Sequence, residues 1–470
     1  MNAAPASPSR RPRDGLFYLV AFGCGAVTGV IGAALHLLVD DLLNWPQWLV
    51  QRLGDGWTTI AIGAGISATA ITLAWVLVRT LAPEAAGSGV QEVEGALEDL
   101  RVVRWRRVLP VKFVGGVLAL SAGLVGGREG PTIHIGASVG AALAEKLRLD
   151  RVDLSTLLAC GAAAGLAAAF NAPLAAVLFV IEETRRQFRY TFRSYIAVII
   201  ASAASAYGME MVGGTAPPLR LETNEVPLVL MPAFLVLGIA LGGLGVIFNK
   251  TLVWALDWRT RVFAPVPWLY AVLVGGAIGV LAFVLPLAIG GGETLIPRIV
   301  QANLPLHVLV LIAVVRFAGT MASYPVNVPA GIFAPLLAIG TTVGLIAGTL
   351  VESLLGELPS SVSMRLPPLL GSAFAVAAMA GLFSATIRAP LVGVVLLVEL
   401  TGAFELILPL MITSVTAHAI ADALGGRPIY EVLLERTLRL AGQVPPPPTD
   451  RAYSPVGVGA SPPGPSQEKR

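Results

Sequence analysis

The amino-acid sequence predicts an all-α integral membrane protein made of two related halves. Three observations carry that prediction: a scarcity of charge, uncharged runs long enough to cross a bilayer, and a set of motifs that recurs in the same order. Of 470 residues, 55% are hydrophobic and 13% are charged, with a mean hydropathy of +0.77. Water-soluble domains carry roughly 25% charged residues, because a solvated surface needs them. With half that share, this chain is expected to have lipid as its solvent.

The spans come next. A bilayer-crossing helix takes about 20 mostly apolar residues. Runs of that kind are Leu16 to Val39, Ile60 to Val78, Val226 to Phe248 and Val266 to Ile289, within about a dozen apolar segments, several broken by Gly or Pro. The first run is too long for a signal-peptide core and has no small-residue cleavage site after it, so it is read as structure. Arginines cluster at Arg10, Arg11 and Arg13, at Arg101, Arg104, Arg106 and Arg107, at Arg185, Arg186, Arg189 and Arg193, and at Arg427, Arg436 and Arg439. Positive loops stay cytoplasmic, so both chain ends are expected inside an inner membrane, with an even number of crossings. Trp45, Trp48, Trp57 and Trp268 are placed to form an interfacial belt.

These marks divide the chain into a disordered cytoplasmic N-terminus (1–14), a transmembrane domain (15–440) and a tail (441–470). The tail is rich in Pro, Gly and Ser, includes the run Pro445 to Pro448, and cannot bury a core. A net charge of +3 gives no reason to expect a nucleic-acid partner. Cys24 and Cys160 both lie in apolar runs, which excludes a disulfide framework, and His36, His134, His307 and His418 lack ligand spacing. No metal or cofactor is expected. An enzyme reading finds no support, for want of a metal cluster, a nucleophile elbow or a phosphate loop.

The repeat is the third observation. AGL stands at Ala164 and Ala380, APL at Ala172 and Ala389, and a glutamate nine residues past the proline at Glu182 and Glu399. GREGP (Gly127 to Pro131) likewise has a partner in GIFAP (Gly331 to Pro335), about 200 residues later. Duplicated halves with interrupted helices are a recurrent transporter plan, with the binding site where the halves meet.

That plan gives the glycine signatures a chemistry. GSGV (Gly87 to Val90), GREGP and GIFAP each precede a helical pattern. Pro131 and Pro335 suit a first helical turn, whose N–H groups have no intrahelical acceptor. Helices that begin inside the membrane aim free N–H donors and a partial positive charge at whatever lies before them. Several such ends together make an anion site. A full Lys or Arg in contact would hold the anion too tightly for transport.

GREGPTIHIG, GAAAGLAAAFNAPLAAVLFVIEE and GIFAP, in this order, resemble the CLC family of chloride channels and chloride/proton antiporters, in its prokaryotic branch without cytoplasmic CBS domains. GSGVQEVEGAL is similar to the family's GSGIP signature and the helix after it. The resemblance covers essentially residues 15–440. It implies many tilted and partly spanning helices in two inverted-repeat halves, and a homodimer with one pore per subunit.

Glu129 is the most informative residue. An acid in an apolar stretch costs several kcal/mol unless it is used or neutralised. As a carboxylate it can take the anion's place beside the helix ends; protonated, it loses that attraction and can swing away. The resemblance assigns the same gating and proton-carrying role to the Glu of GREGP. The bland reading is a capping or salt-bridge partner for Arg128. Ser88 and Tyr430 carry hydroxyls, which hold chloride without trapping it by charge; on residues alone they would be a helix cap and an interfacial tyrosine. The resemblance makes them chloride ligands together with the backbone N–H groups of Ile332 and Phe333. It assigns those of Arg128, Gly130 and Ala334 to an outer anion site. Ser88, where nitrate-preferring relatives carry Pro, favours chloride.

Glu183 ends an apolar run just before Arg185 and Arg186, so it is expected near the cytoplasmic end. Antiporters that the chain resembles use a glutamate there to receive protons, and channels generally do not. A salt bridge with those arginines is the alternative. Glu182 and Glu399 read as a structural pair. Lys112 and Arg316 either raise the positive potential along the anion route or pair with buried carbonyls or acids. His134 reads as a satisfied packing residue, with a proton relay as the alternative. Gln91, where the family signature has Pro, is expected to loosen a helix start, and Ala330 stands where Gly is common. The function expected is exchange of chloride for protons across the lipid bilayer. A passive voltage- or pH-gated channel, an antiporter for nitrate or fluoride, and an anion-binding scaffold without flux stay open.

Overall fold

The computed structural model describes residues 13–183, 191–214, 219, 221–293, 295–302, 304–356 and 369–445. Most of the two expected disordered ends lies outside the described residues, as do Arg10, Arg11, Arg185, Arg186 and Arg189. Among the described residues the regular structure is helical throughout, with isolated bridges in place of strands. Ten helices among the described residues are long and apolar enough to cross a membrane, and Pro390–Thr401 is a shorter apolar helix. The protein is thus an all-α integral membrane protein. Residues up to Leu434 form one compact unit. Glu435–Arg470 form a second, whose described part is helical to Leu440, with Arg439 paired to Glu435 one turn earlier.

The repeated motif explains why some helices fall short of the bilayer thickness. In the first half the helix Arg151–Phe170 ends at Asn171, which takes the left-handed conformation (φ 49°), and Pro173 opens the helix Pro173–Glu183. In the second half Leu370–Ile387 ends at Arg388 (φ 75°), and Pro390 opens Pro390–Thr401. Proline cannot continue a helix and disfavours helical geometry in the residue before it, so both breaks are written into the sequence. The proline-led helices have 11 and 12 residues. They rise only about 17–18 Å, against a hydrocarbon layer of about 30 Å.

These two short helices cap each other. The Glu399 carboxylate accepts from the N–H groups of Leu174 (3.0 Å) and Ala175 (2.6 Å), and Glu182 accepts from Leu391 (3.4 Å) and Val392 (2.9 Å). Each helix places its C-terminal glutamate at the other's N-terminus, so the pair runs antiparallel and is related by a two-fold exchange. The structural role expected for Glu182 and Glu399 is this cap. A charged cap at a helix start contributes about 1 kcal/mol. Glu399→Gln is therefore expected to lower the unfolding midpoint of the detergent-purified protein by a few degrees, and Glu182→Gln by a similar amount; differential scanning fluorimetry reads both.

The most buried of the candidate spans are the central ones of the two halves, Arg151–Phe170 and Leu370–Ile387. They approach their neighbours at small residues. Gly136 and Gly161 face each other so closely that a Cβ on either would collide with the other's carbonyl oxygen, the close packing that small residues permit in membranes. Large apolar side chains such as Leu16, Val236, Leu273 and Val314 lie exposed on the outside, as lipid contact requires. Trp48, Trp57 and Trp268 are exposed as a belt demands. Trp45 is the correction: its indole N–H donates to the Ser121 carbonyl (3.1 Å) and its ring packs edge-on against Phe283.

Candidate functional site

Four helix starts meet in the interior: Val90–Leu97 after GSGV, Glu129–Lys146 within GREGP, Phe333–Gly356 within GIFAP, and Ile429–Leu440, which carries Tyr430 at its second position. Backbone pairing brings them together. The N–H and carbonyl groups of Gly127 and Gly331 are exchanged at 2.9 and 2.7 Å, a second reciprocal contact between repeat partners. Gly87 donates to the Val328 carbonyl (3.1 Å) and accepts from Ala330 (3.2 Å), which ties the GSGV loop to the GIFAP loop. Gly89 turns into its helix in the left-handed region (φ 91°), with His134 packed against it. Pro131 and Pro335 stand third in their helices, inside the first turn as expected.

The Glu129 carboxylate lies fully buried in this cradle. Oε1 accepts from the N–H groups of Phe333 (2.6 Å) and Ala334 (3.1 Å), at the positive end of the GIFAP helix, and the residue's own N–H points to the same group. Phe333 and Ala334, assigned on resemblance to two different anion sites, thus converge on a single carboxylate. Ile332, Arg128 and Gly130 lie buried beside it at the same helix starts. The ion-pair partners of Arg128 are Asp40 (2.9 Å) and Glu293 (2.5 Å), not Glu129. Glu129 is therefore an acceptor in an anion cradle, and the salt-bridge reading does not describe it.

Next to the cradle, Gly130 packs on Ser88, and the Ser88 and Tyr430 hydroxyls are both buried and within reach of each other. Neither makes a hydrogen bond of ordinary geometry with the described residues. An orphaned buried hydroxyl costs about 1–3 kcal/mol, so two at one point form a site for an acceptor. Chloride, which accepts from hydroxyls and N–H groups, fits that chemistry. Neither the helix-cap nor the interfacial reading of these residues holds. The Tyr430 ring lies 5.7 Å from that of Phe333, around which Phe170, Phe179 and Phe383 also pack.

Lys112 and Arg316 follow the carbonyl-pairing reading. Lys112 Nζ donates to the carbonyls of Ala85 (3.0 Å) and Gly87 (2.6 Å), fixing the loop that presents Ser88. The Arg316 guanidinium donates to the carbonyls of Leu287, Ile289, Gly290 and Gly291. Gln91 loosens nothing visible: Glu92 and Val93 both bond back to the Gly89 carbonyl at 3.1 Å, a regular helix start. His134 is buried as a packing residue, though its Nδ1 has no partner among the described residues.

Glu183 is half-buried at the end of Pro173–Glu183, within electrostatic reach of the buried Glu94 carboxyl. Tyr430 lies within electrostatic reach of both Glu183 and Glu129. Arg185 and Arg186, the salt-bridge alternative, lie outside the described residues. Sequence reasoning missed Glu94. Its signal was present: QEVEGAL carries two acids in a short helix where every residue is buried, and Arg101 (2.8 Å) pairs with Glu92.

The segments that carry Glu129 and Glu183 lead to opposite ends of the helix Arg13–Leu42. In the helix Arg13–Leu42, Asp14 at the start pairs with Arg193 (2.9 Å), which also holds Asp153, while Asp40 at the far end pairs with Arg128. Glu183 ends the short helix that returns toward the Asp153 end.

A family model described as voltage gated chloride channel matches residues 69–422. The chain is 40% identical over 424 residues to the H(+)/Cl(-) exchange transporter ClcA of Vibrio cholerae serotype O1, covering 88% of each protein. It is also 40% identical over 429 residues to the protein of the same name from Salmonella paratyphi B, covering 89% of this chain and 88% of that one. Its fold is similar to the crystal structure of a slow cyanobacterial Cl-/H+ antiporter, with a TM-score of 0.86 at 35% identity over 93% of this chain and 100% of the other. Convergent helix starts around a buried glutamate, duplicated halves and these similarities lead to one conclusion: the chain belongs to the CLC family of voltage-gated chloride channels and chloride/proton antiporters.

Proposed function

We propose that the protein is a secondary active antiporter that exchanges chloride for protons across the bacterial inner membrane. The observation that carries this reading is the Glu129 carboxylate seated in the N–H cradle of Phe333 and Ala334. A carboxylate there and a chloride compete for the same donors. Protonation removes the charge that holds the carboxylate, so the side chain leaves with its proton and chloride takes the donors. One residue thereby makes anion and proton movement mutually dependent.

Ser88, Tyr430, Ile332 and Phe333 hold chloride on the central side, and Arg128, Gly130 and Ala334 line the outer side. Glu183 with Glu94 receives protons from the cytoplasm, where both chain termini lie, and Glu129 delivers them to the other face. Lys112 and Arg316 fix the loops of the route through their carbonyl bonds and add positive potential. The protein works as a homodimer in which each subunit has its own route. The sequence similarity to proteins named H(+)/Cl(-) exchange transporters supports chloride as the anion.

Purified protein in liposomes with a chloride gradient and no proton gradient tests the reading. Uphill proton movement, inhibited when the chloride gradient is collapsed, is the expected result. Chloride flux with no proton movement would make the protein a passive channel and remove the proton roles of Glu129 and Glu183.

A further inference from the structure

On the face away from Glu183, the Arg128 guanidinium is held between two carboxylates of different character. Asp40 lies 2.9 Å from Nη1 and its side chain is 44% exposed; Glu293 lies 2.5 Å from Nε and is 10% exposed. The Glu293 Oε1 atom is buried with no hydrogen-bond partner among the described residues. Together with Gly126 and Gly127 these three residues line a cavity of about 30 Å³, room for one or two water molecules. Gly127 is also the wall against which the Glu129 carboxylate packs, too closely to leave room for a Cβ. The cavity is therefore the approach to the anion cradle from this face.

Charge around the approach is unbalanced. Arg128 and Arg316 bring two positive charges, whereas Asp40, Glu293 and Glu129 bring three negative ones when ionised. His36 lies within electrostatic reach of Arg128, and Arg316 comes up to the Gly291–Gly292 backbone with its donors on carbonyls. Glu293 lies in the connection between Val284 and Ile296, outside the candidate spans. Burial pushes its carboxyl up, Arg128 holds it back and the charges of Glu129 and Asp40 add to the push, so that it titrates at about 8. Ionised, it cancels Arg128 and repels an incoming anion; protonated, it leaves Arg128 to attract one.

We infer that Glu293 is a positioning residue for chloride capture, acting through Arg128 so that the outer approach admits chloride when Glu293 carries a proton. This rests on the exchange reading above and adds a second proton-sensitive residue to its outer side. The test is the KM for chloride of full-length protein in liposomes at equal pH on both sides, about pH 6 and about pH 9. The parent KM should rise with pH by about tenfold more than that of Glu293→Gln, the effect of one nearby charge at a protein surface. At about pH 6 the two proteins should agree within about twofold in KM, kcat and exchange ratio. Asp40→Asn, at an exposed and screened position, should shift KM by less than about threefold.

Equal pH dependence of KM in parent and Glu293→Gln would overturn the inference, as would a loss of rate by one common factor at every pH. If Glu293→Gln fails to fold, Glu293→Asp decides: it keeps a titrating group and should keep the parent's rise in KM, and a flat profile would sink the idea. Chloride transport is read by itself in this assay. A parent that moves no protons thus overturns the exchange reading without deciding the role of Glu293.

Discussion

Glu129→Gln abolishes proton movement while chloride still crosses: this is the largest effect expected of any single substitution in the protein. The side chain keeps its size, and its amide oxygen can still accept from Phe333 and Ala334, so the cradle need not rearrange. Two properties disappear. The group can no longer take up a proton, and its bonds to the N–H donors lose their charge assistance, which makes them roughly half as strong. The loss of about 1–2 kcal/mol in gate affinity favours chloride over the side chain by roughly 5- to 30-fold. Simultaneous recording of chloride and proton flux from liposomes checks both parts. The exchange should become a proton-free leak whose chloride rate persists when the chloride gradient is imposed. A variant that still drives protons uphill would show that Glu129 is not their carrier, whatever its place in the cradle.

Much of this site was legible in the sequence, and the reason is physical. A proline after a small-residue stretch, as in FNAPL and IRAPL, disfavours helical geometry in the residue before it, so the interrupted helices and their repeat could be read directly. The glutamates nine residues past those prolines could be paired by the repeat alone, and they cap each other's helices. Glu129 was legible because an acid in an apolar run is costly enough to need a use. Other residues stayed hidden. Glu94 shares a segment with Glu92, and nothing local tells the acid that pairs with Arg101 from the one that meets Glu183, 89 positions away in sequence by their numbers. Asp40 and Glu293 come to Arg128 from segments far apart in the chain, a contact only tertiary packing creates. That the N–H groups of Phe333 and Ala334 both reach the Glu129 carboxylate stayed hidden for a related reason. Successive N–H groups at one helix start point in nearly one direction, so a single carboxylate takes both.

Glu183→Val should separate the proton route from the anion route at its other end. Valine removes the carboxyl within electrostatic reach of buried Glu94 and adds no charge to the interior. Ser88, Tyr430 and the helix starts keep their positions, so chloride affinity measured by calorimetry should stay within about twofold of the parent. Protons, in contrast, lose the group that meets cytoplasmic water. Moving a charge into the apolar interior without a titratable stop costs several kcal/mol, and roughly 3 kcal/mol on a barrier is more than a hundredfold in rate. Proton movement under a chloride gradient should therefore fall below detection while chloride flux continues, and Glu183→Asp should restore part of it. A purely structural Glu183 predicts a different pattern: lower thermal stability and equal loss of both fluxes, with the exchange ratio preserved. That ratio is the deciding quantity, because damage to the fold scales both ions alike and only a lost proton acceptor changes one against the other.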